Sequence, residues 1–93
     1  MIRHVYLLKL KDKSKIPEIS AKLLTLKEKI PYMLAMEVGT DFKGDSNSWD
    51  MAEICTFATM EDFKRFGADP YHAQIREYIG SLREDGVKID FEV

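Results

Sequence analysis

The sequence predicts one α+β domain in which helices cover one face of a four-stranded antiparallel sheet, and three observations carry that expectation. Apolar residues alternate with period two at 2–10 and at 87–93, which is strand spacing. They recur in steps of three and four between Ile16 and Ile30 and again along His72, Ile75, Ile79 and Leu82, which draws helical stripes. The length, 93 residues, suits a single domain spanning residues 1–93, with no room for a second core.

The elements follow in order. Residues 2–10 place Ile2, His4, Tyr6, Leu8 and Leu10 on one strand face and Arg3, Val5, Leu7 and Lys9 on the other. After the polar turn 11–14, the stripe Ile16, Ile19, Leu23, Leu26 and Ile30 makes a helix. Pro17 suits its first turn, and Pro31 ends it by pushing Ile30 out of helical geometry. A second strand runs from Met33 to Gly39, with Leu34, Met36 and Val38 on alternate positions. Residues 41–48 are dense in turn formers and read as a loose hairpin loop. The third strand, 49–58, sets Trp49, Met51, Glu53, Cys55 and Phe57 on one side. Thr59, followed three residues later by Asp62, resembles a capping box that starts a short helix bearing Phe63 and Phe66 and ending at Gly67. Asp69 then caps a further helix with Pro70 at its first position, running to Leu82. Gly86 is expected to turn the chain into the last strand.

Composition narrows the function classes. Hydrophobic residues are 45% and charged residues 32%, the profile of an ordinary globular protein. No apolar stretch approaches the ~20 residues that cross a bilayer, so no membrane partner is expected. The opening Met1-Ile2-Arg3-His4 lacks the pattern of a signal peptide, and a cytoplasmic location is the expectation. Cys55 stands alone, which excludes an internal disulfide. A net charge of −2 gives no reason to expect nucleic acid, although residues 1–30 hold eight Lys/Arg against three Asp/Glu. Lysines at 15, 22 and 29 repeat every seven residues, as on a solvated helix face. There is no phosphate loop, serine-nucleophile motif or dinucleotide fingerprint.

The order β-α-β-β-α-α-β suggests the ferredoxin-like split βαβ arrangement. Helices then cover one sheet face, and the apolar residues of the other need a partner. A second copy of the sheet is the simplest cover, because twofold dimers are the commonest assembly.

Several pieces of the chain together resemble the stress-responsive dimeric α/β-barrel family along essentially its whole length. They are Ile2-Arg3-His4-Val5 followed by Lys9-Leu10-Lys11, Ile30-Pro31, Glu37-Val38-Gly39, Asp69-Pro70-Tyr71-His72 and Ile89-Asp90-Phe91. The resemblance implies a homodimer whose two sheets face each other as a barrel, with a pocket between each sheet and its helices. One plant member is a polyketide cyclase whose base matches His72, helped by a tyrosine on the preceding helix, with a histidine matching His4 in its pocket. Here the tyrosine position is Phe66, and the first histidine of the family's His-Pro-x-His is Asp69. Both departures put transfer of the cyclase activity in doubt.

His72 is the residue expected to carry any catalysis. It lies in the first turn of its helix, where the positive end of the dipole favours a neutral ring able to accept a proton. The plainer reading is a buried histidine that positions its helix. His4 and Tyr6 share a strand face and look into the same space as His72 if that face meets the helices. Tyr6 is then either a stand-in for the missing tyrosine or a core aromatic. Ile19, Leu23, Phe66, Ile75 and Ile79, on the inward helix stripes, are the expected apolar walls, with Phe63 and Tyr78 as further aromatics. His4, His72 and Glu53 form only a weak metal signal, and neither a metal nor a cofactor is expected. Cys55, mid-strand, has no sequence feature that would activate it.

Three readings remain open. One is a homodimeric stress-responsive domain without a defined reaction, holding a small apolar or aromatic molecule. Another is a cofactor-independent cyclase, isomerase or lyase using His72 as general base. The third is a small monooxygenase-like dimer of the same fold.

Overall fold

The alternation of residues 2–10 becomes β1 (Ile2–Leu10), and the stripe that follows becomes α1 (Ile16–Lys29) after a 3-10 turn at Lys13–Lys15. In the computed structural model, which describes residues 1–93, β2 (Met33–Thr40), β3 (Met51–Phe57), α2 (Met60–Gly67), α3 (Pro70–Leu82) and β4 (Arg83–Glu92) complete the chain. The strands form one antiparallel sheet in the order β2-β3-β1-β4, the ferredoxin-like arrangement.

The expected caps are present. The Thr59 hydroxyl accepts from the Asp62 N–H, and the Asp69 carboxylate accepts from Tyr71 and His72. Ile30 leaves helical geometry before Pro31. On the helix side of the sheet, Ile2, Leu8, Met51, Cys55 and Phe57 meet Ile19, Leu23, Leu26, Phe66, Ile75 and Ile79, all buried. Two of the lysines repeated every seven residues meet aromatics of α3: Lys22 lies 5.8 Å from the Tyr78 ring centre and Lys29 lies 5.9 Å from that of Tyr71. These long stems cover ring faces while their charges stay hydrated.

Two boundaries and one facing differ from the sequence reading. The last strand starts at Arg83, immediately after α3, and Gly86 sits within it opposite Leu8. Gly86 is there for room: a Cβ would come 2.3 Å from the Tyr6 hydroxyl and 2.6 Å from Arg83 Nη1. Trp49 lies outside β3, because Asp50 ends the ladder by accepting the Leu10 N–H through its carboxylate at 2.8 Å. Leu34, expected to share a face with Met36 and Val38, is 53% exposed. The register slips between Met33 and Ala35, so Met33 takes the buried position and Leu34 turns outward.

The two sheet faces differ in cover. Helices lie on the face of His4 and Tyr6, whereas Val87, Ile89 and Phe91 of β4 point the other way and stay 45%, 60% and 41% exposed. The inward positions of β4 are Gly86, Lys88 and Asp90, opposite Leu8, Tyr6 and His4. The apolar filling of the sheet-helix layer is therefore interrupted beside β4.

Candidate functional site

That interruption is a cavity of about 300 Å³, at the lower end of the volume range of small-molecule pockets. Its walls come from β1, β3 and β4 on one side and all three helices on the other. Of the residues singled out in the sequence, His4, Tyr6, Leu23, Phe66, His72, Ile75 and Ile79 line it. Ile19 does not. It is wholly buried in the core, one turn below the cavity wall formed by Leu23 and Leu26 on the same stripe.

His72 is held at two points. Its ring stacks on Phe66 with centroids 3.8 Å apart and planes inclined by 17°. Its Nδ1 lies 3.0 Å from the Phe66 carbonyl oxygen. A carbonyl only accepts, so Nδ1 carries the hydrogen and Nε2 carries the lone pair. Burial pushes the pKa of His72 down from 6.5 to about 4, outweighing the Phe66 carbonyl, which acts the other way; the Arg76 charge adds to the fall. The ring is neutral at pH 7, as expected, but burial rather than position on the helix is the main reason. The ring makes its hydrogen bond within the protein through Nδ1, which leaves Nε2 free. Phe66, where the resemblance implied a hydroxyl, supplies a flat wall for this ring instead.

His4 is set by sheet register. It faces Asp90 across the β1–β4 pair, and its Nδ1 donates to the Asp90 carboxylate at 2.5 Å. The second carboxylate oxygen meets Lys88 Nζ at 3.7 Å. A carboxylate on Nδ1 fixes the tautomer and orientation of a histidine and leaves Nε2 as the working nitrogen. The His4 ring lies 6.2 Å, centre to centre, from that of Phe66 and 6.5 Å from that of Phe63, so both histidines border one aromatic wall.

Two further groups shape the chemistry. The Tyr6 hydroxyl accepts from Arg83 Nη1 at 2.7 Å, which leaves its own hydrogen free to donate. Glu53 is 4% exposed, and burial raises its pKa, opposed by the hydrogen bond it accepts from Cys55 at 3.2 Å. Burial, and then Glu53, push the Cys55 thiol up, so this is an interior thiol and not a nucleophile. His4, His72 and Glu53 all border the cavity but do not converge into a metal-binding cluster.

The sequence reading missed Arg76, Arg83 and Lys88 at the cavity, and Asp90 behind His4. Arg76 could have been found, since it lies four residues after His72 on one helix face. Arg83, Lys88 and Asp90 could not, because their placement depends on the β1–β4 register.

Similar structures share this architecture. A hydroxynitrile lyase from Passiflora edulis is 21% identical with a TM-score of 0.87, the match covering 99% of this chain and 92% of that one. A protein from Arabidopsis thaliana is 22% identical with a TM-score of 0.86, covering 100% and 95%. A dimeric ferredoxin-like protein of unknown function from Thermobifida fusca is 21% identical with a TM-score of 0.86, covering 99% and 90%. No curated protein matches the chain. The model of the stress responsive A/B barrel domain matches residues 2–93, and with this sheet order and these helices the chain belongs to that family.

Proposed function

We propose that the chain is a homodimeric, cofactor-independent enzyme in which His72 removes a proton from carbon next to a carbonyl of a small, largely apolar molecule. One observation carries this reading. A neutral histidine with an unpartnered Nε2 borders a ligand-sized cavity that also holds the His4–Asp90 pair. Phe63, Phe66, Leu23, Ile75 and Ile79 supply apolar contact for the substrate. As Nε2 takes the proton, negative charge moves to the carbonyl oxygen. The free Tyr6 O–H, polarised by Arg83, is a donor suited to that oxygen. The protonated His72 then returns that proton to the product, which restores the neutral ring, while His4, held by Asp90, borders the same space.

Homodimerisation is supported by the apolar face that the helices leave open. Val87, Ile89 and Phe91 on β4 lie beside Val5 and Leu7 on β1, with Ala52 and Ile54 on β3. The Thermobifida fusca neighbour is described as dimeric and the Passiflora edulis neighbour as a hydroxynitrile lyase, so this fold accommodates both features elsewhere.

The test is deuterium exchange at the α-carbon of aryl ketones and β-keto esters in D₂O, followed by NMR. Wild-type protein is expected to accelerate exchange, and His72→Ala to lower the rate by ~100-fold or more while remaining folded. Compounds that perturb the amide signals lining the cavity yet exchange no faster than in buffer would leave a binding module in place of the enzyme.

A further inference from the structure

The charges around the cavity specify one end of its ligand. Arg76, Arg83 and Lys88 line it, and its single acidic lining residue is Glu53. Glu53 is 4% exposed, and burial disfavours its charged form. Neither Arg76 nor Arg83 forms an ion pair; the protein's four are His4–Asp90, Lys13–Asp50, Lys43–Asp45 and Lys88–Asp90. The cavity is thus lined by two cations without an ion-pair partner, Arg76 and Arg83, in a chain whose net charge is −2.

Arg83 is also held in place. One guanidinium nitrogen is tied to the Tyr6 hydroxyl at 2.7 Å, and the missing side chain at Gly86 leaves the space both groups occupy. A guanidinium anchored through one nitrogen keeps its other donors for a carboxylate, whose two oxygens match the planar fork. Low-dielectric walls strengthen the field of such cations inside a cleft. The rest of the lining is largely apolar and aromatic, with Leu23, Phe63, Phe66 and Ile79.

We infer that the natural ligand is a small amphipathic acid, aromatic or branched, whose carboxylate is taken by Arg83 and Arg76 while its apolar body lies on Phe66 and Phe63. This rests on the proposed reading of the cavity as a small-molecule site and adds the ligand's charge class. Lys88, half-committed to Asp90, contributes field rather than a fixed contact.

The experiment compares phenylacetate with its uncharged isostere phenylacetamide by NMR titration of the wild-type protein, reading the amide signals of Gly67 and His72. Phenylacetate is expected to bind at least about tenfold more tightly, equivalent to roughly 1.4 kcal/mol, and added salt to narrow the gap. Arg83→Gln and Arg76→Gln, both at exposed positions, are each expected to lower the acid's affinity by a larger factor than the amide's. Equal affinity of acid and amide overturns the inference and spares the small-molecule cavity. A preference for the acid that both arginine variants retain overturns the assignment to these residues. Absence of any perturbation by either compound overturns the small-molecule site as well.

Discussion

His72 shows how one side chain acquires a function through what surrounds it. Its Nδ1 is spent on the Phe66 carbonyl, its ring face on the Phe66 ring, and burial makes the imidazolium costly. The same burial makes stability depend on pH in a definite direction. The folded-state pKa of about 4 lies below the 6.5 of the unfolded chain, so as pH falls the unfolded chain takes the proton first. The stability margin is complete above pH 6.5, is lost progressively between 6.5 and about 4, and changes no further from this group below that. Urea unfolding at a series of pH values is expected to show this loss in the wild type. His72→Gln is expected to remove that component and leave only the slope due to carboxylates; an unchanged slope in the variant would mean that His72 is not buried neutral.

At the scale of elements, α3 aims His72 and its first turn decides the aim. Asp69 is where the family resemblance places a histidine, and here it serves the helix: one carboxylate oxygen accepts from both the Tyr71 and the His72 N–H. Asp69→Ala removes both acceptors and is expected to cost about 1 kcal/mol, read as a lower urea midpoint with unchanged slope. Asp69→Asn keeps an acceptor oxygen and is expected to recover most of that loss. If Ala and Asn behave alike, the cap contributes nothing and the turn is held by Pro70 alone. The β1–β4 pair does the corresponding work for the other histidine, since only its register puts Asp90 opposite His4 and Lys88 opposite Tyr6.

The whole molecule is a sheet covered on one side. Ile89 lies midway along the edge strand β4 on the uncovered face, paired with Val5 and 60% exposed, and a charge there would be buried twice in a twofold dimer. Ile89→Asp is expected to raise the dimer dissociation constant by about a hundredfold or more, equivalent to roughly 3 kcal/mol. Light scattering with size-exclusion chromatography reads this as a monomer at concentrations where the wild type is dimeric. A wild-type chain that runs as a monomer would remove the dimer from the proposed function. The cavity lies between the sheet and the helices, on the other face from Ile89, so the variant also separates assembly from ligand binding.

The sequence by itself determined the strands, the helices and their order, because periodicity, caps and prolines are local signals. It also set His4 and Tyr6 on one strand face and His72 on a helix stripe, but whether that face meets the helices was left to the fold. The tertiary structure alone decided what the layer between sheet and helices contains. Gly86 looked like a turn and is a space for Tyr6 and Arg83, and Leu34 looked inward until a bulge turned it out. The pairings of His4 with Asp90 and of Tyr6 with Arg83 join residues 86 and 77 positions apart. Such contacts follow from strand register, and register is set by the summed packing of the whole sheet rather than by any residue's neighbours in the chain.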